Sequence, residues 1–130
     1  MNPIQIDGIH HVGIPVSDFE RSLAFYSGVL GLQQIQHPKT WNVRWLRMGD
    51  QHVHLQKWDM SKLGADGPRH FALYVKDAEA ARQFLKSKGF TLDEQPTLKG
   101  ADRFYVKDPD GNNVELIQWI EDWGDGSGKD

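Results

Sequence analysis

Two segments, QHVHLQKW (51–58) and NNVELIQW (112–119), share an apolar frame and differ at one chemically decisive place. Leu55 and Trp58 correspond to Leu116 and Trp119, while His54 corresponds to Glu115. A second pair, HHVGIPVSDFERSLAFY (10–26) and RHFALYVKDAEAARQFL (69–85), sets His11 against His70. Three neutral imidazoles and a carboxylate suit a borderline divalent transition metal, whereas Mg²⁺ and Ca²⁺ prefer all-oxygen shells. A structural zinc site closes tetrahedrally. Octahedral Fe²⁺, Mn²⁺, Co²⁺ or Ni²⁺ would keep two positions open, where a substrate oxygen can be polarised. The expected cofactor is one divalent transition metal per site: Ni, Co, Zn, Mn or Fe.

Strand parity decides what these four residues can reach. In 9–16, Val12, Ile14 and Val16 share one face, while His11, Gly13 and Pro15 share the other. The second copy repeats this, with Phe71, Leu73 and Val75 opposite His70 and Ala72. In the last strand of each copy, Val53 and Leu55 match Val114 and Leu116, and His54 and Glu115 fall on the opposite face. His11, His54, His70 and Glu115 are thus the repeat-related polar positions facing away from the helices. Packing of the copies about a pseudo-two-fold would let them converge on one ion.

The elements between these strands also repeat. Ser17 with Glu20 three positions on has capping-box spacing, and Phe19, Leu23, Tyr26 and Leu30 form an apolar helical stripe. Gly31 and Gly89 stand where C-terminal glycines stop helices. Strands are expected near 32–37, 41–48 and 51–58, then 70–75, 90–94, 102–107 and 113–119, with a second helix over 77–88. "GD" (49–50) and "DPDG" (108–111) read as matching tight turns. The expected fold is α+β: two βαβββ modules related by a pseudo-two-fold, curved mixed sheets enclosing a metal site and helices outside. Module one spans about 8–60, a linker 61–67, module two about 68–120, and a flexible Gly- and Asp-rich tail 121–130, within one domain of 130 residues.

Composition narrows the function classes. There is no cysteine, which removes disulfides, thiolate metal sites and a Cys nucleophile. "MNPIQIDG" has no apolar h-region of a secretory signal, and no apolar run approaches the roughly 18 residues of a membrane span. A net charge of -3 with mixed signs gives no footprint for nucleic acid or anionic lipid. A cytoplasmic protein with a small-molecule partner is expected. A single strand histidine is ordinarily just a satisfied polar group; symmetry is what lifts these above that reading. His10 corresponds to Arg69 and falls on the core side, a structural position. His52 corresponds to Asn113 and reads as rim or surface, His37 carries no signal, and Trp58 and Trp119 read as core or pocket-wall aromatics.

HHVGIPVSDFERSLAFYSGVLGL (10–32), HFALYVKD (70–77) and YVKDPDGNNVELIQW (105–119) resemble the vicinal oxygen chelate superfamily, which includes glyoxalases, bleomycin-resistance proteins and extradiol dioxygenases. The resemblance runs from about residue 8 to 120 and places the family's metal ligands on His11, His54, His70 and Glu115. It implies a lyase or isomerase of glyoxalase type, acting on a small oxygen-chelating substrate through a metal-stabilised enediolate with Glu115 as catalytic base. The position of His54 is usually glutamate in lactoylglutathione lyases, so the chain departs from them there. Extradiol dioxygenases use two histidines and a glutamate, which His11, His70 and Glu115 would supply to Fe(II), with His54 and Tyr105 as proton donors. A third reading is an antibiotic-sequestering protein, although such relatives generally lack the ligands. Fosfomycin-modifying relatives commonly carry a hydroxyl residue where Gly13 stands. Arg44, Arg103 and Tyr105 are expected substrate contacts, and a homodimer is expected, as in many short members.

Overall fold

Alternation in HVGIPV produces strand β1 (His11–Val16), which buries Ile14 and Val16 and leaves His11 and Gly13 exposed. The computed structural model describes residues 3–36, 42–63, 69–96 and 99–120, and falls into two compact units, 1–65 and 66–130. In the first, β1 leads into helix α1 (Phe19–Leu23), followed by β2 (Gln33–Ile35), β3 (Val43–Met48) and β4 (Gln51–Lys57). The second repeats the order as β5 (His70–Tyr74), α2 (Ala78–Ser87), β6 (Leu92–Glu94), β7 (Ala101–Lys107) and β8 (Asn113–Trp119). The βαβββ expectation therefore holds in both modules. The proposed tail, 121–130, lies outside the described residues.

Each module has one four-stranded mixed sheet. Its first and last strands pair in parallel and its other pairings are antiparallel, giving the orders β1-β4-β3-β2 and β5-β8-β7-β6. The parallel register sets Gly13 beside His54 and Ala72 beside Glu115, so the two sheets are built on the same pattern. One face of each sheet carries the core. In module one this is Ile14, Val16, Leu46, Val53 and Leu55 with the helical Phe25 and Tyr26; in module two, Phe104, Val106, Val114 and Leu116 with Ala78 and Leu85. At about 1.5–3 kcal/mol for each large apolar side chain fully buried, this face fixes the register of its sheet.

The helices differ from the sequence expectation in detail. The first begins one residue later than the Ser17–Glu20 spacing predicts, because Asp18 is the cap: its Oδ1 accepts from the Arg21 backbone N–H at 3.0 Å. The Ser17 hydroxyl accepts from the Arg21 guanidinium instead, at 2.8 Å. After Leu23 the helix widens into π turns over Ala24–Val29, where the Leu30 N–H donates to the Phe25 carbonyl at 2.9 Å. That longer spacing rotates the apolar stripe. Phe25 and Tyr26 are buried, whereas Phe19, Leu23 and Leu30 are only half-buried. Helix α2 is regular, capped by Asp77 Oδ1 on the Ala80 N–H at 2.9 Å, and it ends before Gly89, whose φ of 89° suits a residue without Cβ.

Module two has a polar fastening that module one lacks at this position. Arg82 of α2 donates to Glu94 at 2.8 Å, Asp102 at 2.9 Å and Glu79 at 3.1 Å, with its guanidinium 4.9 Å from the Phe104 ring centre. The helix is thereby tied to β6 and β7. These hydrogen bonds, led by Asp102, hold the guanidinium above its ordinary pKa.

Candidate functional site

The free face of module one gathers imidazoles. Parallel pairing of β1 and β4 sets His11 beside His52 and Gly13 beside His54, and antiparallel pairing sets Trp45 of β3 across from His54. The His54 ring lies between two others: His11 stacks on it at 3.9 Å between centres and 18° between planes, Trp45 at 4.5 Å and 4°. His54 is only 5% exposed. Its pKa is pushed down to about 4, first by burial and then by His11, His52 and His10. It is therefore neutral near pH 7, the state in which imidazole offers a lone pair to a metal. His52 Nδ1 stands 3.2 Å from His54 Nε2.

His10 is a correction to the sequence reading. Rather than facing the core, it is exposed, with Nδ1 2.9 Å from His11 Nδ1 and its ring 6.0 Å from that of His54. It precedes β1, so strand parity does not govern it. His10, His11 and His54 form a group whose ligand atoms all lie within 4.8 Å of one another. The same residues, with Trp45, Gln56 and Trp58, line a cavity of about 570 Å³. Trp58, 56% exposed, is thus a pocket wall and not core.

The free face of module two carries the carboxylate. Glu115 is 5% exposed and its Oε1 lies 3.1 Å from His70 Nε2, so the two side chains meet on this face. Antiparallel pairing of β7 and β8 sets Tyr105 across from Glu115 and Arg103 across from Ile117. Tyr105 packs on His70 with ring centres 4.9 Å apart and hydrogen-bonds Glu115. Burial, then the Glu115 carboxylate, pushes the Tyr105 phenol up, so it remains a donor at neutral pH. Arg103 Nη1 is 3.6 Å from Glu115 Oε2, long for a hydrogen bond, and Arg103 Nε has no partner among the described residues.

Arg44 is the expected contact that lies elsewhere. It pairs with Leu55 on the helix side of β3, and its guanidinium lies 4.3 Å from the Phe19 ring centre. Alternation places it opposite Trp45, so it faces away from His54 and is withdrawn from the candidate site. Gly13 sits beside His54, and a Cβ built there would meet Gln56 Oε1 at 3.6 Å, an ordinary contact. The face has room for a hydroxyl side chain at this position but does not carry one. Trp45 was not singled out by sequence reasoning, although its cross-strand pairing with His54 follows from the alternation in VRWLRM about the Gly49 turn.

The chain belongs to the glyoxalase/bleomycin resistance protein/dioxygenase superfamily, whose family model matches residues 8–116. Among its relatives, the glutathione transferase FosA of Serratia marcescens is 31% identical over 85% of this chain and 80% of its own length. The lactoylglutathione lyase of Salmonella typhimurium is 29% identical over 91% of this chain and 96% of its own. A solved glyoxalase family protein from Bacillus anthracis superposes with a TM-score of 0.80 at 26% identity, covering 91% of this chain and 99% of that one. No helix among the described residues is long and apolar enough to cross a membrane.

Proposed function

We propose that the chain is a divalent-metal-dependent enzyme of glyoxalase type, a lyase or isomerase acting on a small substrate that chelates through oxygen. The observation carrying this reading is the paired chemistry of the two free sheet faces: a buried neutral imidazole, His54, beside His11 in one module, and a buried carboxylate, Glu115, beside His70 in its repeat. Such a donor set, three imidazoles and one carboxylate with no thiolate, fits Ni, Co, Zn, Mn or Fe. His11, His54, His70 and Glu115 are the proposed ligands, two from each module. A relative named lactoylglutathione lyase and another named glutathione transferase support small-molecule chemistry at such a site.

When bound, the ion supplies Lewis acidity that stabilises negative charge developing on a substrate oxygen. Glu115 is the proposed base for a proton on the neighbouring carbon, since it is the one buried carboxylate on a free sheet face among the described residues. Tyr105 and Arg103 hold that carboxylate in place, and Arg103 has donor capacity left for a substrate oxygen. Trp45 and Trp58 line the cavity. The substrate is a small molecule, and the chain is proposed to act as a homodimer, which sedimentation equilibrium would report as twice the chain mass of 14.9 kDa.

A second reading rests on one contact. His52 Nδ1 already engages His54 Nε2 at 3.2 Å. If His54 keeps that bond it is a proton donor, and His11, His70 and Glu115 form the two-histidine, one-carboxylate triad of an Fe(II) oxygenase. Metal analysis of protein purified without oxygen, beside a His54→Ala variant, separates the readings. Loss of Ni, Co or Zn in the variant, with wild-type exchange of a carbon-bound proton in α-hydroxycarbonyl compounds seen by NMR in D₂O, supports the lyase or isomerase. Fe(II) retained without His54, with oxygen uptake on catechols, supports the oxygenase. A chain with no affinity for any of these ions overturns both and leaves the sequestering protein.

A further inference from the structure

We propose that Gln56 selects the substrate: its amide hydrogen-bonds an uncharged hydroxyl or carbonyl oxygen lying beyond the oxygens that chelate the metal. This narrows the substrate of the glyoxalase-type reading and rests on that reading. Gln56 is not a ligand, and the proposed ligand set stands as it is.

Gln56 lies on β4 two residues beyond His54, so alternation puts both side chains on the free face of the sheet. Both residues line the same cavity of about 570 Å³, together with Trp45 and Trp58. Pockets of this kind fix a ligand's orientation through a small number of placed polar groups. Two steps of strand span about 7 Å, so an amide on a side chain of this length reaches an oxygen about two carbons beyond a group held near His54. The neighbouring strand makes room for that amide. A Cβ at Gly13 would meet Gln56 Oε1 at 3.6 Å and Nε2 at 3.7 Å, so the amide lies over bare backbone, and the space a side chain at Gly13 would take stays open beside it.

A glutamine on an exposed strand is ordinarily a solvated residue; the contrast between the copies lifts this one above that. The repeat sets Gln56 against Ile117, which is 8% exposed, and Gly13 against Ala72. Across the neighbouring strand the contrast reverses: Gln56 pairs with the buried Val43, and Ile117 pairs with Arg103. Module two thus carries a cation beside an apolar residue where module one carries a neutral amide beside one. An amide offers two N–H donors and a carbonyl acceptor, so it engages hydroxyl and carbonyl oxygens alike and brings no charge to hold a carboxylate or phosphate. Lys57 also borders the cavity, but it follows Gln56 and alternates to the opposite face of β4. The group read at this place is therefore uncharged.

The test compares erythrulose with ethyl hydroxymethyl ketone. They share a four-carbon chain and a chelating hydroxyketone, and erythrulose carries two further hydroxyls. Exchange of carbon-bound protons in D₂O would be followed by NMR with the Ni²⁺-loaded chain. Binding to the chelator-treated chain would be read separately by saturation-transfer NMR. Wild type, Gln56→Leu and Gln56→Asn are compared, and because Gln56 is exposed neither substitution disturbs the core. The expected result is a wild-type preference for erythrulose of about 10-fold in kcat/KM, the size of one net hydrogen bond. It should fall to near parity in Gln56→Leu and survive in part in Gln56→Asn. An equal preference in wild type and Gln56→Leu overturns the inference and leaves the lyase or isomerase reading standing. No exchange by any of the proteins, with erythrulose bound more tightly by wild type than by Gln56→Leu, supports the role of Gln56 and overturns the lyase or isomerase reading. A wild-type chain that neither exchanges nor binds either compound overturns both.

Discussion

His54 is the residue on which the proposed chemistry turns. Its ring is buried between His11 and Trp45, and its pKa near 4 makes it a neutral donor at any physiological pH. The unfolded imidazole takes a proton near 6.5 and the folded one only near 4, so the unfolded state binds more protons between those values. The metal-free chain should therefore lose stability as pH falls through that window. Melting temperatures of the chelator-treated protein and of His54→Gln across pH 4–6.5 check this: the wild-type decline should be the steeper, and parallel curves would contradict it. Glu115→Gln keeps the shape of the side chain and removes the proposed base, so proton exchange should fall by about 100-fold or more while the fold remains. The four candidate ligands are legible in the sequence because parity within a repeat assigns faces without knowledge of packing. His10 is not, because it lies one residue outside β1, where alternation has no hold on it.

At the scale of elements, the strands and turns follow closely from alternation and turn residues. The expected spans 41–48, 51–58 and 113–119 become Val43–Met48, Gln51–Lys57 and Asn113–Trp119. The first helix follows less closely, since a π turn depends on how Phe25 and Tyr26 fit the sheet beneath them and not on local propensity. Arg82 is likewise invisible to periodicity, because its partners Glu94 and Asp102 come from other strands. Arg82→Ala should cost about 1–2 kcal/mol in urea unfolding, below the cost of breaking a wholly buried pair, because all three carboxylates are more than a third exposed. Asp77→Ala, which removes the α2 cap, should cost about 1 kcal/mol in the same measurement, and no change would show that the Ala80 contact carries nothing.

For the molecule as a whole, the duplicated βαβββ order gives two sheets of the same topology, each with an apolar helix face and a free face bearing ligating groups. The repeat holds its apolar frame because each copy buries the same kind of sheet. The exchange of His54 for Glu115 falls on the free faces, where that constraint does not act. The proposed donor set, drawn from both copies, would account for a histidine in one being matched by a carboxylate in the other, since together they would bring one negative charge to a dication. The most direct test is a calorimetric titration of Ni²⁺ into the metal-free chain and its His70→Ala variant. A shared site predicts one ion per wild-type chain and an affinity about 100-fold weaker in the variant, about 2.7 kcal/mol. Identical binding by the two proteins would contradict it.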